Sequence, residues 1–287
     1  MVMFHTAIDV PASGNAEEAT ITITFKPPRG DTKSMQMPLV PDTTGLDILD
    51  VTMHNSPTKA HNMGSKYNEW LGECLGFKVV LAYLGNNTRK VLMSTNGNAQ
   101  KQDSWMSTLT SNLPTAIGNL VQEKQEQITF SDCAPYLVVS DTSLTDVSRR
   151  LPDGQDMDIT KFRPNIIVHG ADTAWDEDYW AELSIGNVNL QLVQNCARCQ
   201  SINIDYATGK PGTDDSGKVL KKMQSDRRVD AGAKYSPIFG RYCFLPHVDV
   251  GKSIGIGDEV LITKRNTERT TFGRSRTRES IMLVLTT

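Results

Sequence analysis

The first part of the chain alternates between apolar and polar positions. Ile21, Ile23 and Phe25 share one face, with threonines between them, and this pattern predicts a half-buried β-strand. Prolines and a glycine at 27–30 predict a turn, and a second strand is predicted at Met35–Leu39. Because proline is confined to edge strands and strand ends, we predict a β-hairpin with a proline-protected edge.

The next segment has the period of an amphipathic helix. Its apolar residues recur three and four positions apart and form one stripe: Tyr67, Trp70, Leu71, Cys74 and Leu75. Gly76 stands at the expected C-terminal cap, since glycine adopts the left-handed conformation without strain. The apolar run from Phe77 to Leu84 then predicts a buried strand.

The second half of the chain contains short apolar segments between turn residues. Residues 85–127 are polar without a sustained period, and we interpret them as a long connection with one short helix near Leu113–Val121. A helix from Asp141, capped by Thr142 and Ser143, is also predicted. The predicted strands are Pro135–Val139, Ile166–Val168, Leu183–Ile185, Val188–Val193, Ser201–Ile204, Tyr242–Leu245 and Glu259–Ile262. Their spacing is typical of a closed or nearly closed antiparallel barrel, so the predicted class is α+β and mainly β.

These patterns divide the chain into three parts. We predict a β-rich N-terminal domain over residues 1–110, a barrel domain over 111–265 and a basic polar tail over 266–287. The segment Lys264–Glu279 holds six basic residues against two acidic ones and almost nothing apolar. Such a composition predicts a solvated, mobile segment.

Composition and charge exclude several classes of function. The 287 residues are 38% hydrophobic, enough for a packed core, so disordered and collagen-like classes are excluded. Lys and Arg total 30 against 33 for Asp and Glu, which does not suit a protein that grips a nucleic-acid backbone by bulk charge. No apolar run reaches the roughly 18 residues of a membrane span, and the start does not resemble a secretory signal. We therefore expect an intracellular protein with no nucleic-acid partner and no membrane span.

Cys196 and Cys199 form a Cys-x-x-Cys pair that is open to several interpretations. A zinc site needs two more ligands nearby, whereas the nearest candidates, His169, Cys243 and His247, are scattered singly. A thioredoxin-like dithiol depends on a helix N-terminus, whereas this pair lies between two predicted strands. There remain two buried structural cysteines, or an exposed turn with a thiol beside Arg198. In the second case the cation favours the thiolate that soft metals bind.

Three other stretches place polar or small groups beside predicted strands. They are Arg163 and Asn165 around Pro164, Asp132 and Cys133 at a strand entry, and Phe239 and Gly240 in a Ser-Pro-Ile-Phe-Gly stretch. A guanidinium next to a carboxamide suits a phosphate and the edge of a heterocycle. Taken singly, each stretch is equally compatible with an ordinary turn or a surface ion pair.

In this order the stretches resemble the MOSC domain, the C-terminal domain of molybdenum cofactor sulfurases, and most closely the branch containing the mitochondrial amidoxime reducing component. The resemblance runs from residue 130 to 262. It rests on Phe-Arg-Pro-Asn-Ile at 162–166, an acidic and aromatic stretch at 175–180, Cys-Ala-Arg-Cys at 196–199, Ser-Pro-Ile-Phe-Gly at 236–240 and Ile-Gly-Asp at 256–258. It implies a MOSC antiparallel β-barrel with peripheral helices behind a partial N-terminal β-rich domain, in a family associated with pyridoxal phosphate proteins.

The resemblance also implies roles for individual residues. Cys199 corresponds to the cysteine whose thiolate coordinates molybdenum, which makes it the expected metal ligand and catalytic residue. The cofactor-binding positions that it implies are Asp132, Cys133, Arg163, Asn165, Ala197, Arg198, Phe239 and Gly240. Cys133 departs from the family, which has a small hydroxyl residue there.

The implied activity is that of a molybdenum cofactor-dependent oxidoreductase. It would reduce small N-hydroxylated substrates by oxygen-atom transfer, with electrons from a donor such as cytochrome b5 and its NADH-dependent reductase. A sulfur-carrier or cofactor-handling protein is the alternative, and a cofactor-free remnant is a third possibility.

One departure concerns the N-terminal part of the chain. Family members carry a Tyr-Pro-x-Lys-Ser stretch and a Thr-x-Arg segment there, and this chain has neither at its start. We therefore expect either a start codon placed too late or a naturally shortened protein. The expected location is cytosolic by default, or the mitochondrial outer membrane if an N-terminal anchor is missing.

Overall fold

The computed structural model describes residues 2–91 and 127–273. The first range contains two three-stranded antiparallel sheets, in the orders β1-β2-β3 and β4-β5-β6, and one helix. The elements are β1 (Phe4–Asp9), β2 (Thr20–Phe25), β3 (Lys33–Pro38), β4 (Ile48–Met53), β5 (Ser56–Asn62), α1 (Ser65–Leu75), β6 (Ala82–Tyr83) and β7 (Arg89–Lys90).

The predicted hairpin and helix are confirmed. β2 and β3 pair with Ile21 opposite Met37, and their apolar face packs against Met63 and the aromatic residues of α1. Gly76 caps α1 with a φ of 79°, and its N–H donates to Gly72 O at 2.8 Å. This cap satisfies one of the carbonyl groups that have no partner within the helix.

The buried strand predicted at Phe77–Leu84 is wrong. Only Ala82–Tyr83 is a strand, and the side chains of Phe77 and Val80 are exposed. A short apolar run without alternation does not specify which side faces the core, and here the chain crosses the surface after the left-handed turn at Gly76.

The second range is built around one six-stranded sheet in the order β10-β9-β15-β12-β11-β16. The strands of this range are β8 (Gln127–Ile128), β9 (Tyr136–Ser140), β10 (Ile166–Val168), β11 (Trp180–Ile185), β12 (Val188–Ala197), β13 (Ile204–Asp205), β14 (Lys210–Pro211), β15 (Ile238–Phe244) and β16 (Val260–Arg265). The helices are α2 (Asp141–Ser148) and α3 (Val219–Gln224), and six short 3-10 turns connect the strands. β7 pairs with β8 and so joins the two described ranges.

The predicted mainly β class is confirmed, although the sheet is a curled half-barrel. Within the described ranges β10 and β16 each pair on one side only, and β9–β10 is a parallel pair in an otherwise antiparallel order. These six strands therefore do not form a closed barrel. Strand spacing along a sequence reveals the number of strands but not which ones pair at the edges.

Most of the predicted strands of this half are present, with two local corrections. The segment predicted as the strand Ser201–Ile204 is a 3-10 turn at Gln200–Asn203. The α2 cap is Ser140, whose hydroxyl accepts from Thr142 N, rather than Thr142 or Ser143. The predicted helix at Leu113–Val121 lies outside the described residues. Within residues 2–91 and 127–273, the helices are too short and too polar to span a bilayer.

Both faces of the sheet are buried at its central strands, β9, β15 and β12. Leu137, Val139 and Tyr242 pack on one face with residues of α2 and α3, whereas Val138 and Cys243 pack on the other. Successive residues of a strand point to opposite faces, so each of these three strands contributes to two cores. Burial on both faces explains why β15 contains no exposed position.

A buried ionic network crosses the sheet beside these cores. Arg241, in the middle of β15, donates to Asn195 Oδ1 at 2.8 Å, Asp178 O at 3.0 Å and Thr270 Oγ1 at 2.8 Å. The Asp178 carboxylate in turn accepts from Arg227 at 2.9 Å and Arg269 at 2.8 Å. Burial lowers the pKa of Arg241 to about 10, so its guanidinium stays charged at neutral pH. A buried charge requires partners, and this network draws together four segments of the chain.

This network corrects the prediction of a solvated tail for residues 266–273. Arg269 and Thr270 bond to the network, and Phe272 packs against the core while its N–H donates to Asp230 at 2.8 Å. The composition predicted a tail because basic residues usually face water, whereas Arg269 has a buried acceptor, the Asp178 carboxylate. Residues 274–287 lie outside the described ranges.

Glu177 is buried next to this network. Its Oε2 accepts from Ser143 Oγ at 2.7 Å, while its Oε1 has no hydrogen-bond partner among residues 2–91 and 127–273. Burial raises the pKa of Glu177 from 4.5 to about 7, with Ser143 opposing the shift. The protonated carboxyl is therefore favoured in the folded protein.

We predict that Glu177 makes stability fall between pH 4.5 and pH 7. Its contribution is fully present below the unfolded pKa and is lost as pH rises through the folded pKa, at a cost of about 3 kcal/mol in the free energy of unfolding. Urea unfolding from pH 4.5 to 8 should show that Glu177→Gln removes this component. Glu182→Gln, at an exposed carboxylate, is the control that keeps it. If the free energy of unfolding depends on pH in the same way for the wild type and Glu177→Gln, the raised pKa of Glu177 is contradicted.

Gly240 sets the distance between β15 and β9. Its φ is +80°, and a Cβ there would lie 2.7 Å from Val139 Cγ1 and 2.8 Å from Val138 O. Both backbone conformation and space therefore require glycine at this position.

We predict that Gly240→Ala costs about 3 kcal/mol of stability, because strand β15 must move away from β9 and the residue is strained. Gly251→Ala is the matched control, since Gly251 also has a positive φ of +90° but no heavy atom within 4 Å of the added Cβ. If both variants lose the same free energy of unfolding in urea, backbone strain alone, without steric overlap, explains the requirement for glycine at position 240.

Candidate functional site

An exposed ion pair joins the two loops that lead into β9 and β10. Arg163 Nη1 lies 3.6 Å from Asp132 Oδ2, and the two side chains are 74% and 48% exposed. Because β9 and β10 are parallel neighbours, the residues that precede them come to the same edge of the sheet. The structure thus brings together two of the predicted site residues from positions 31 apart in the sequence.

Arg163 has an unusual backbone conformation. It ends the 3-10 turn Ile159–Phe162 in the left-handed region, with φ 55° and ψ 44°, directly before Pro164. A residue before proline strongly disfavours helical conformations, and a left-handed non-glycine residue is strained. Its N–H donates to Thr160 O at 3.0 Å, and this bond within the turn maintains the strained conformation. In this conformation the guanidinium points to the surface.

Asn165 bonds to the neighbouring strand through its backbone N–H and its side-chain oxygen. Its N–H donates to Leu137 O and its Oδ1 accepts from Leu137 N, each at 2.9 Å. The carboxamide oxygen is therefore occupied by β9. Asn165 is exposed, and its Nδ2 group remains as a donor toward solvent.

The two cysteines of the Cys-x-x-Cys pair lie in different environments. Cys196 is buried within β12, whereas Cys199 is exposed at the start of the 3-10 turn that follows. The Cys199 Sγ lies 3.2 Å from Ser201 Oγ. All five thiols are free, and no cluster of three candidate metal-binding residues occurs in 2–91 or 127–273. The geometry favours the interpretation of an exposed turn that presents one thiol.

Arg198 separates these cysteines and its side chain points inward, while its predicted contact with a cofactor stays a prediction. Its guanidinium is buried and donates to Phe239 O at 2.9 Å through Nε and to Phe162 O at 2.7 Å through Nη1. It also lies 5.2 Å from the centre of the Phe162 ring. Because Phe162 precedes Arg163 and Arg198 precedes Cys199, one guanidinium ties the two exposed turns to each other.

Phe239 and Gly240 also lie inside the protein rather than on the site surface. Phe239 is fully buried against Phe162, with ring centres 4.3 Å apart, and Gly240 makes its close approach to β9 and not to a ligand. Both residues thus have a role in the scaffold, and their predicted contact with a cofactor stays a prediction. A glycine in a sequence signals a close approach without identifying the partner.

Cys133, Cys196 and Tyr242 form a cluster beneath the exposed residues. Burial raises the pKa of the Cys133 thiol, and the Tyr242 hydroxyl bonds to it and opposes the shift. Burial likewise raises the pKa of Cys196, opposed by Arg198 and Tyr242. Both thiols thus stay neutral, and the hydrogen-bond partner of the Cys133 thiol is the buried Tyr242. Ala197, the last residue of β12, is half-buried and pairs with Ile238.

The sequence analysis missed two residues of this site. Arg89 is buried and donates to Thr129 O at 2.8 Å and to Ser131 O and Asp132 O, so it shapes the loop that carries Asp132. His54 places its Nε2 3.9 Å from Asp132 Oδ1. Neither lies near the motifs, and an isolated arginine or histidine in a polar segment carries no local signal.

Comparison with known proteins shows a family similarity in the second half of the chain. Residues 125–261 match the MOSC domain family. The chain is 35% identical to human mitochondrial amidoxime-reducing component 1 over 153 residues, which cover 52% of this chain and 42% of that protein. It is 34% identical to bovine mitochondrial amidoxime reducing component 2 over 142 residues, which cover 48% of this chain and 40% of the relative.

A longer and weaker similarity extends over both described ranges. Human molybdenum cofactor sulfurase is 25% identical over 247 residues, which cover 82% of this chain and 24% of that protein. The chain thus spans well under half the length of each of these relatives. The matched region begins just before β8 and ends at the start of β16. It therefore contains the other five strands of the six-stranded sheet and the exposed turns at Asp132, Arg163 and Cys199. The chain therefore contains a MOSC domain, at residues 125–261.

Proposed function

We propose that this protein binds the molybdenum cofactor through Cys199 and reduces N-hydroxylated substrates. The observation that carries the proposal is the single exposed thiol on a turn that Arg198 ties to the exposed Arg163–Asp132 pair. The names of the amidoxime-reducing relatives support the reaction, and the name of the sulfurase supports the cofactor.

The exposed residues fit such a cofactor chemically. A thiolate is a soft ligand of the kind that molybdenum accepts, and Cys199 presents its sulfur to solvent. Arg163 offers a planar guanidinium that suits a phosphate, and Asn165 offers the two N–H donors of its Nδ2 to a heterocycle. Asp132, beside Arg163, offers carboxylate acceptors to ring N–H groups.

The bound cofactor would supply the two-electron chemistry that removes oxygen from the substrate, and the protein would supply binding and orientation. The Ser201 hydroxyl, 3.2 Å from the sulfur, can donate a hydrogen bond that stabilises the Cys199 thiolate. The buried hydrogen bonds of Arg198 hold the two turns in place, so little reorganisation accompanies binding. We further propose that an external carrier, such as cytochrome b5 with its NADH-dependent reductase, delivers the electrons.

The proposal extends to the location of the protein. The relatives are named as mitochondrial, which favours a mitochondrial location over the cytosolic one expected by default. Fractionation of cells that express the tagged protein tests this point.

We predict that Cys199→Ala loses bound molybdenum at least tenfold while the protein stays folded. The thiol is exposed, so its removal creates no cavity, whereas a metal ligand is lost. Molybdenum by mass spectrometry and pterin by fluorescence after oxidation are the measurements, on protein purified from a host that makes the cofactor. Cys74→Ala, at a half-buried thiol on α1, is the matched control and should retain both. Full reductase activity and stoichiometric molybdenum in Cys199→Ala would contradict the proposal.

A sulfur-carrier function is the second candidate. The observation that favours it is the similarity to a molybdenum cofactor sulfurase over 82% of the chain. In this case Cys199 would carry a persulfide for transfer to another protein. Incubation with a cysteine desulfurase and labelled cysteine should then label the wild type but not Cys199→Ala, without substrate-dependent reductase turnover.

A further inference from the structure

His54 lies at the tip of the hairpin formed by β4 and β5. His54 and Asn55 are the two residues of the turn, with φ of 50° and 64°. Two left-handed residues in succession make a type I′ turn, for which Asn and Gly are preferred because other side chains are strained there. The hairpin itself therefore gains nothing from an imidazole at the first position.

The imidazole reaches the candidate site in the MOSC domain. His54 Nε2 is 3.9 Å from Asp132 Oδ1, and the other oxygen of the same carboxylate is 3.6 Å from Arg163 Nη1. One carboxylate thus lies between two nitrogen-bearing groups from separate parts of the chain. All three side chains are about half exposed or more, so they line a surface that is open to a ligand.

Arg89 holds the hairpin tip and the Asp132 loop in a fixed relation. Its buried guanidinium donates to Met53 O, next to His54, as well as to Ser131 O and Asp132 O. A buried guanidinium requires such acceptors, so movement of the tip would cost Arg89 its bond to Met53 O. The hydrogen bonds of Arg89 to the backbone on both sides therefore keep His54 close to Asp132.

We infer that His54 is a ligand-contact residue, which together with Arg163 binds the anionic group of the cofactor. This inference rests on the proposed function. Asp132 Oδ1 and Oδ2 lie 3.9 Å from the imidazole and 3.6 Å from the guanidinium, beyond hydrogen-bond distance of either. The N–H groups of both side chains therefore stay available to donate to phosphate oxygens. The N-terminal part of the chain thereby contributes directly to the site of the MOSC domain.

The variant His54→Asn tests this inference. Asparagine tolerates the left-handed conformation, so we expect the midpoint of thermal unfolding to stay equal or rise, while the imidazole is lost. We expect pterin to dissociate about tenfold faster than from the wild type, the loss of one hydrogen bond to a charged group. Pterin fluorescence after gel filtration, followed over time, measures the rate. His169→Asn is the matched control, because His169 is also an exposed histidine paired with a carboxylate, Asp141, at 2.7 Å.

A second measurement separates this inference from the proposed function. Calorimetric titration of cofactor-free protein with inorganic pyrophosphate should give an affinity about tenfold lower for His54→Asn than for the wild type and for His169→Asn. If the wild type binds pyrophosphate in this way but never contains pterin or molybdenum, the proposed function fails and the anion site stands. If His54→Asn matches the wild type in pyrophosphate affinity and pterin release, the inference is overturned.

Discussion

The buried guanidinium of Arg198 is the interaction on which the candidate site depends. A charged group inside a protein must be fully hydrogen-bonded, and Arg198 meets this condition with the carbonyl oxygens of Phe162 and Phe239. These carbonyls belong to the turn before β10 and to strand β15, so one side chain on the turn after β12 fixes three segments. The exposed neighbours Arg163 and Cys199 are thereby placed on one rigid scaffold.

The same device recurs in two other places. Arg89 connects the β4–β5 hairpin with the loop that carries Asp132, and Arg241 connects β12, β15 and the segment around Thr270. In each case a guanidinium binds backbone carbonyls, which specify position because their direction is set by the chain. The three buried arginines therefore fix the positions of the loops through hydrogen bonds to the backbone, as strand pairing fixes the strands of the sheet. This explains how irregular segments can present side chains in defined positions, as binding sites require.

The arrangement also explains the difference between the two cysteines of the Cys-x-x-Cys pair. Cys196 is inside the core, where burial keeps its thiol protonated, while Cys199 is free to meet a soft metal or to carry sulfur. The two proposed functions share this exposed sulfur, in agreement with the similarity to both reductases and a sulfurase. The hairpin with His54 adds a contribution from outside the matched domain.

The sequence alone determined several of the local elements and the type of domain. Periods of two and of 3.6 predicted the β2–β3 hairpin and α1 with its Gly76 cap, and ordered motifs identified the MOSC domain. Only the tertiary structure decided that Arg198 points inward, that Phe239 is buried and that Phe272 packs against the core. Periodicity reports which positions face a core, because it depends on neighbours in the chain. The partner of a buried charge is distant in sequence, and it is defined only once the sheet has brought the segments together.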